Sequence, residues 1–340
     1  MIKKNLISLL IILVLGSWVF PGQVVPLPEI KKPENIIVDQ NQILITEFPN
    51  VFIYSLEDYK LINKFGKKGE GPQEFSQYVR IQPYLDYPNY IVVGSHMKMS
   101  YFTRDGKFVK EVRSKTSSVA NVYKPLGKKY VAYGFLQENN TAYNTINIFD
   151  ADLKKIKEVV RWEAPFQQGK PFNPTDNDLA GGEFRVYANK IFFILREEGN
   201  IDVFDHNGEK IHSIKYNYER VPVTQEDKQE YRKFYQTDPR YRQFYNAAER
   251  FMKFPKYFPA TREQVVADDK IYVLTHKKIE GKSEFVVFSI KGKFLKKIPV
   301  PFENANPRDS YPFTIKNQKL FQLIDNVNTE EWELHIHPIQ

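Results

Sequence analysis

The chain has 340 residues, of which 42% are hydrophobic and 15% aromatic, and its formal net charge is +8. This apolar content excludes a disordered chain. The absence of cysteine excludes disulfides, thiol chemistry and a lipid-anchored lipoprotein. The mild positive charge permits weak attraction to anions without establishing any partner.

The first residues have the layout of a signal peptide. Two lysines, Lys3 and Lys4, precede an apolar run over residues 6–15, and polar, proline-containing sequence follows. The apolar run is too short to span a bilayer comfortably. We therefore expect residues 1–22 to be a signal peptide and the protein to be exported, either to the periplasm or as a secreted protein. The alternative is an N-terminal anchor that is never cleaved, and no other membrane contact is expected.

One pattern then recurs along the chain: an apolar strand ending near an aromatic residue, a polar turn, and a second apolar strand flanked by basic residues. Three of the turns contain Asp-Gly, Asn-Gly or Lys-Gly, whose glycines supply the positive φ that tight hairpins need. Each copy therefore predicts a β-hairpin. The copies occupy residues 51–65, 101–112, 146–159, 201–214 and 285–298, with a truncated sixth at 334–339.

A further apolar strand precedes every hairpin, and a short one precedes that strand, which gives three or four strands in each of six units. The aromatic markers of the first five units are separated by 48, 47, 55 and 84 residues, and they are Tyr54, Phe102, Phe149, Phe204 and Phe288. Three of the four spacings are close to the roughly 40–50-residue period of propeller blades. The sequence therefore predicts an all-β, six-bladed β-propeller, folded as one domain over residues 23–340.

The sixth unit ends at its third strand, so ring closure needs a strand from the other end of the chain. Residues 24–30 are available for this role. Two prolines in this stretch restrict it to pairing at the edge of a sheet. The alternative is that these residues form a linker.

A glycine-rich connection follows the first hairpin and reads Gly-Lys-Lys-Gly-Glu-Gly-Pro-Gln-Glu-Phe over residues 66–75. It resembles the blade connection Gly-x-x-Gly-x-Gly-Pro-Gly-Glu-Phe of NHL-type six-bladed propellers, with Gln73 in place of the last glycine. The repeat layout is also similar to that of exported TolB-like propellers. This resemblance implies a binding role. A phosphate-cradling loop is not predicted, because neither a helix-opening glycine nor Lys-Ser/Thr follows.

The long spacing between the fourth and fifth units indicates a helical insertion over about residues 222–258. Thr224 and Asp227 have the spacing of a capping box for a helix that begins near Gln225. Aromatic residues then recur at helical spacing on one face, and Asp238-Pro239 interrupts the run. We expect a helical hairpin that packs onto one end of the propeller. A sharper hypothesis is that it caps the channel mouth.

Propeller sites generally lie at the mouth of the central channel, on loops that enter the innermost strand or follow the second. The predicted ligand-binding residues in these loops are Arg80, Arg185, Arg196, His96, His276, Arg262, Glu47 and Asp325. Converging arginines, with Arg80 and Arg185 in equivalent positions, could hold a carboxylate, phosphate or sulfate through bidentate hydrogen bonds. The alternative is that the arginines are solvated or pair with nearby acidic residues such as Glu183 and Glu263.

These observations predict a monomeric binding or scaffold protein that recognises a protein, an anionic small molecule or a glycan at the channel mouth. No cofactor, metal or nucleic acid partner is predicted, because the sequence contains none of the motifs that would carry them. The alternative function is a metal-assisted hydrolase or lyase acting on a small exported substrate. It would require His96, His276 and either Glu47 or Asp325 to lie close together.

Overall fold

The computed structural model describes residues 22–76, 80–82, 89–95, 98–113, 123–167, 169–176 and 181–339, and of residues 80–82 only the backbone. The predicted signal peptide therefore lies almost wholly outside the described residues. The strands, in chain order, are β1 (Gln23–Pro26), β2 (Asn35–Asp39), β3 (Gln42–Glu47), β4 (Asn50–Ser55), β5 (Leu61–Phe65), β6 (Lys67–Lys68), β7 (Glu74–Phe75), β8 (Arg80–Gln82), β9 (Tyr90–Ser95), β10 (Lys98–Thr103), β11 (Phe108–Arg113), β12 (Lys124–Leu126), β13 (Lys129–Glu138), β14 (Thr141–Phe149), β15 (Lys155–Glu163), β16 (Gly182–Tyr187), β17 (Lys190–Leu195), β18 (Ile201–Phe204), β19 (Lys210–Ile214), β20 (Glu263–Ala267), β21 (Lys270–Ile279), β22 (Lys282–Ser289), β23 (Phe294–Val300), β24 (Phe313–Lys316), β25 (Lys319–Asn326) and β26 (Glu331–Pro338).

Apart from β6 and β7, these strands form six four-stranded antiparallel sheets, which are the blades of a six-bladed propeller. Blades 1 to 5 are β2 to β5, β8 to β11, β12 to β15, β16 to β19, and β20 to β23, each in chain order. Blade 6 has the order β24-β25-β26-β1. The first strands of the blades meet around the axis, since β2 contacts both β8 and β24, and β16 contacts both β12 and β20. The predicted fold class is confirmed.

The core consists of apolar layers between neighbouring blades. Six buried clusters each combine residues of two adjacent blades, from the pair 1 and 2 around to the pair 6 and 1. A blade in the ring is therefore buried on both faces, which explains why its strands are apolar without clean alternation. All five marker aromatics lie in this core, with exposures between 0 and 6%.

The hairpin turns follow the expected chemistry. Gly106, Gly208 and Gly292 all have positive φ, between +74° and +88°. At Gly292 a Cβ would also lie 2.9 Å from Cγ1 of Ile214 in blade 4, so this turn has no room for a side chain. Conformation and space therefore both favour glycine there.

The ring is closed by the N-terminal strand. β1 pairs antiparallel with β26, with Gln23 opposite Ile336 and Pro26 opposite Glu333. The strand is shorter than the predicted 24–30, but the chain stays attached beyond it: Leu27 is 1% exposed and its N–H donates to the Trp332 carbonyl at 2.8 Å. The sheet therefore gains its fourth strand from the start of the chain.

The glycine-rich connection bends the chain between blades 1 and 2. β6 and β7 pair in parallel, and the Glu74 carboxylate accepts the Gly71 N–H at 2.8 Å. Phe75 is fully buried in the layer between blades 1 and 2. These contacts give the connection a structural role.

The insertion is helical, as predicted. Helix α1 (Gln225–Thr237) begins at Thr224, which forms the predicted capping box with Asp227, and helix α2 (Tyr245–Ala248) continues into a 3₁₀ turn over Glu249–Phe251. Tyr231, Phe234 and Tyr235 are buried in a small core that belongs to the insertion. The second helical segment is shorter than the aromatic spacing indicated, and Phe244 is 61% exposed. Among the described residues, neither helix has the length and hydropathy needed to cross a bilayer.

We expect Leu27→Ala to lower the free energy of unfolding by about 3 kcal/mol, because it opens a cavity where the closing strand is anchored. Val24→Ala, in β1 but 48% exposed, is the matched control and should change stability by less than about 0.5 kcal/mol. Urea unfolding followed by circular dichroism measures both. Equal effects of the two substitutions would contradict a closing role for this segment.

Candidate functional site

The predicted site residues that the structure describes lie on one face of the propeller, which we call the mouth face. In a four-stranded antiparallel blade, the loop after the second strand and the connection to the next blade lie on the same side. The loops after β3, β17, β21 and β25 and the connections into β16, β20 and β24 therefore share this face. The helical insertion is part of the connection from β19 to β20, so it lies there as well.

The insertion is held over the connections around blades 4, 5 and 6. The Tyr235 hydroxyl donates to the Pro174 carbonyl at 3.2 Å, and the Tyr231 hydroxyl donates to the Pro307 carbonyl at 2.8 Å. Arg308 is 3% exposed and donates to the Tyr241 hydroxyl at 2.7 Å. The guanidinium of Arg308 also lies 5.1 Å from the centre of the Tyr241 ring. The insertion therefore bridges the connections that enter blades 4 and 6.

Beneath this side of the mouth face lies a charged group that we call the blade 4–5 cluster: Glu183, Arg185, Arg196, Arg262 and Glu263. Glu183 is its centre. One carboxylate oxygen pairs with Arg185, and the other lies 3.6 Å from Nη2 of Arg196 and accepts the Gln264 N–H at 3.1 Å. Nε of Arg196 donates to the Arg262 carbonyl at 2.7 Å. The cluster thus joins the inner strands of two blades and the loop after β17.

The cluster differs from a surface ion pair because most of it is buried. The side chains of Glu183 and Arg196 are each 6% exposed, whereas the side chain of Arg185 is 34% exposed. Burial and the charge of Glu183 raise the pKa of Glu263, although the nearby arginines oppose the shift. Arg185 is therefore the member whose guanidinium a dissolved ligand can reach.

A lysine that the sequence analysis did not select extends the positive charge. Lys124 lies opposite Val131 and Arg185 lies opposite Phe192, which places the two cations in the same register of neighbouring inner strands. Nζ of Lys124 donates to the Phe184 carbonyl at 2.9 Å and lies 4.3 Å from the centre of the Phe184 ring. Burial, helped by the charge of Arg185 and opposed by Glu183, lowers the pKa of Lys124 to about 7.

His276 borders the same cluster from blade 5. Its ring stacks on Phe258 of the insertion, with ring centres 4.5 Å apart. Burial lowers the pKa of His276 well below its ordinary value, and the charges of Arg262, Arg220 and Arg196 act in the same direction. His276 is therefore a neutral imidazole at pH 7 and adds no positive charge to the site.

The predicted acidic residues lie together elsewhere on the mouth face. The Glu47 carboxylate accepts the backbone N–H groups of Lys31 and Lys32 at 2.6 and 2.7 Å. Lys31 and Asp325 both line a cavity beside blade 6. The structure thus divides six of the eight predicted residues into two groups, Glu47 with Asp325 and the other four at blades 4 and 5.

The side chains of two predicted residues lie outside the described part of the structure. His96 lies outside the described residues, and only the backbone of Arg80 is described. That backbone corrects one expectation, because Arg80 lies opposite Gly94 just as Glu183 lies opposite Ile194. With the marker aromatics of both blades aligned, Arg80 is therefore equivalent to Glu183 and not to Arg185. Among the described residues, no three or more His, Asp or Glu side chains lie close enough to hold a metal ion.

Comparison with known proteins supports the fold. No protein-family model matches the sequence, and no curated protein matches it. A solved structure from Bacteroides fragilis, of a protein named as exported, has 12% identity and a TM-score of 0.54 over 94% of this chain and 96% of that chain. A member of the DUF4221 family from Bacteroides vulgatus has 10% identity and a TM-score of 0.52 over 95% and 97% of the two chains.

A luciferin-regenerating enzyme is also similar, with 10% identity and a TM-score of 0.42 over 94% of this chain and 96% of that chain. At such identities none of these similarities carries an argument about activity, and only the first two, with TM-scores above 0.5, support the fold. The NHL-like or TolB-like subtype stays a prediction.

We expect Glu183→Gln to lower the free energy of unfolding by about 3–5 kcal/mol, because it leaves buried arginine charge uncompensated. Glu197→Gln removes an exposed carboxylate paired with Arg220 and should cost less than about 1 kcal/mol. Chemical denaturation at neutral pH measures both variants. A Glu183→Gln protein as stable as the control would show that the cluster does not hold blades 4 and 5 together.

Proposed function

We propose that this protein is an exported binding protein whose channel mouth takes an anionic ligand at the blade 4–5 cluster. One observation supports this most directly: Lys124 and Arg185 occupy the same register on neighbouring inner strands, with Arg196 and Arg262 behind them. Together with the propeller fold, this arrangement fits binding or scaffolding. A carboxylate, phosphate or sulfate group is the ligand chemistry that it suits.

The charge balance of this site favours an anion. Three arginines and Lys124 face the carboxylates of Glu183, Glu263 and Asp176, and burial together with the charge of Glu183 raises the pKa of Glu263. Burial is the main cause of the lowered pKa of both Lys124 and His276, and repulsion by nearby arginines adds to it. An anion near Arg185 would relieve this repulsion.

The geometry also leaves hydrogen-bond donors for a ligand. Arg185 pairs with Glu183 and makes a long hydrogen bond of 3.4 Å to the Phe184 carbonyl. A guanidinium has five N–H donors, so part of its fork stays available on the exposed side. A planar carboxylate or a phosphate can accept two of these donors at once. Lys124, in the same register, would supply a second positive contact.

No contact among the described residues favours the alternative of a metal-assisted hydrolase or lyase. That alternative needs His96, which lies outside them. His276, the other histidine it needs, stacks on Phe258. His276 also lies in a different group of residues from Glu47, whose carboxylate accepts the backbone N–H groups of residues 31 and 32. Binding is therefore the function that the site supports best.

Export is the second part of the proposal. It is supported by the layout of residues 1–22 and is in keeping with the name of one structurally similar protein. We expect the full chain, expressed in a Gram-negative bacterium, to reach the periplasm or medium with an N-terminus between residues 16 and 23. Fractionation and intact-mass measurement test this. An unprocessed chain in the cytoplasm would contradict it.

For the anion site the probe is sulfate, because it does not titrate between pH 6 and 8. Sulfate should bind with an affinity that falls at least about 10-fold in Arg185→Gln, since a charge-assisted bidentate contact is lost. Arg161→Gln, an arginine on the outer strand of blade 3, is the matched control and should bind as the unchanged protein does. Isothermal titration calorimetry at low ionic strength measures the affinities.

The same titration has a pH signature that a nonspecific surface site would lack. Lys124 is protonated below its pKa of about 7 and loses its charge above it, so the affinity for sulfate should fall as the pH rises from 6 to 8. Lys124→Met should bind more weakly at pH 6 and show no such fall. Sulfate binding that is independent of pH, or equal in the Arg185 and Arg161 variants, would overturn the proposal.

A further inference from the structure

The cavity beside blade 6 lies on the mouth face, outside the anion site. It has a volume of about 330 Å³ and is formed where the connection from β1 to β2 crosses the hairpin between β25 and β26. This is the lower end of the range for small-molecule sites, and it is open to solvent. The cavity is lined by Ile30, Lys31, Asp325, Val327, Glu330 and Trp332.

Trp332 offers the cavity carbon surface. The one polar atom of its indole, Nε1, donates to the Lys31 carbonyl at 2.9 Å. The indole is thereby fixed, and Tyr311 packs against it edge-on with ring centres 5.8 Å apart. Val327, which is 78% exposed, adds further apolar surface at the rim. A ligand would therefore meet a rigid apolar wall on this side.

The charged groups around that wall keep their hydrogen-bonding capacity. The side chains of Lys31, Asp325 and Glu330 are exposed, and none makes a hydrogen bond or ion pair with another residue of the described chain. Two carboxylates can accept hydrogen bonds, and the ammonium group can donate three. The cavity thus combines one apolar surface with acceptors and a donor at its edge.

The backbone that carries these groups is held from several directions. The Lys31 N–H is bound by Glu47 at 2.6 Å, and the Lys31 carbonyl is bound by Trp332. On the other side, the Asn326 side chain donates to Glu333 at 2.7 Å, and the Glu330 N–H donates to the Asn326 carbonyl at 2.8 Å. The backbone of the site is therefore already ordered, so a ligand would have to order only the exposed side chains.

We propose that this cavity binds a neutral sugar, with one pyranose ring packed on Trp332 and its hydroxyls bound by Asp325, Glu330 and Lys31. A pyranose has a face of C–H groups and a rim of hydroxyls that both donate and accept, which matches the two kinds of surface here. An anion would meet two carboxylates, which repel it. A cation is the nearest competitor, since tryptophan and carboxylates also attract ammonium groups, but it would meet Lys31.

Tryptophan fluorescence can test this site alone. The sequence has three tryptophans, Trp18, Trp162 and Trp332, so the full chain with Trp18→Phe and Trp162→Phe reports only on Trp332. Its emission is titrated with methyl glucoside, galactoside, mannoside and N-acetylglucosaminide, with cellobiose, and with tetramethylammonium chloride. We expect a saturable change with at least one of the sugars and none with tetramethylammonium.

Substitutions then test whether the Asp325 carboxylate contacts the sugar. In the same background Asp325→Asn should weaken sugar binding at least about 10-fold, because it removes a charged acceptor. Asp152→Asn, an exposed aspartate in the turn between β14 and β15, is the matched control and should have no effect. A sulfate concentration that saturates the anion site should leave the fluorescence response to the sugar unchanged. The two proposals can therefore be tested independently. The proposal is overturned if no sugar gives a saturable change, if tetramethylammonium does, or if both aspartate variants behave alike.

Discussion

Every blade of this protein is a sheet with two apolar faces, and neither face can be left in water. Each of the six buried clusters therefore draws its residues from two neighbouring blades. A ring is the arrangement that covers both faces of every sheet with copies of the same sheet. Blade 6 takes its fourth strand, β1, from the other end of the chain. The closing layer therefore depends on β1 and on the buried residue Leu27. The mouth face and both of its candidate sites exist only because that layer is complete.

The two sites occupy different parts of this face and have opposite charge. At blades 4 and 5, carboxylates balance the arginines only in part, and Arg185 is partly exposed. Beside blade 6, two unpaired carboxylates and one lysine surround an indole. If both proposals hold, one face of the propeller would bind two ligands of different charge.

The fold could be predicted from the sequence because its signals are local. Turn glycines, apolar runs and the spacing of the marker aromatics each depend on a few neighbouring residues, and so does the capping box at Thr224. The sites were harder to predict, since their contacts join residues far apart in the chain. The importance of Lys124 depends on Arg185 in the next blade, and the equivalence of Arg80 and Glu183 follows only from strand register. Glu47 was selected for its position, but its partners lie in an irregular segment that has no sequence signal.

The pairing of β1 with β26 also constrains how the protein is made. Gln23 and Ile336 are partners although more than 300 residues separate them, so β1 stays without its partner strand until β26 has been synthesised. Contacts of such long sequence separation form late and slowly. During synthesis, and during any passage across a membrane, the ring of blades is therefore incomplete. The tertiary structure can be completed only when β26 is available to pair with β1.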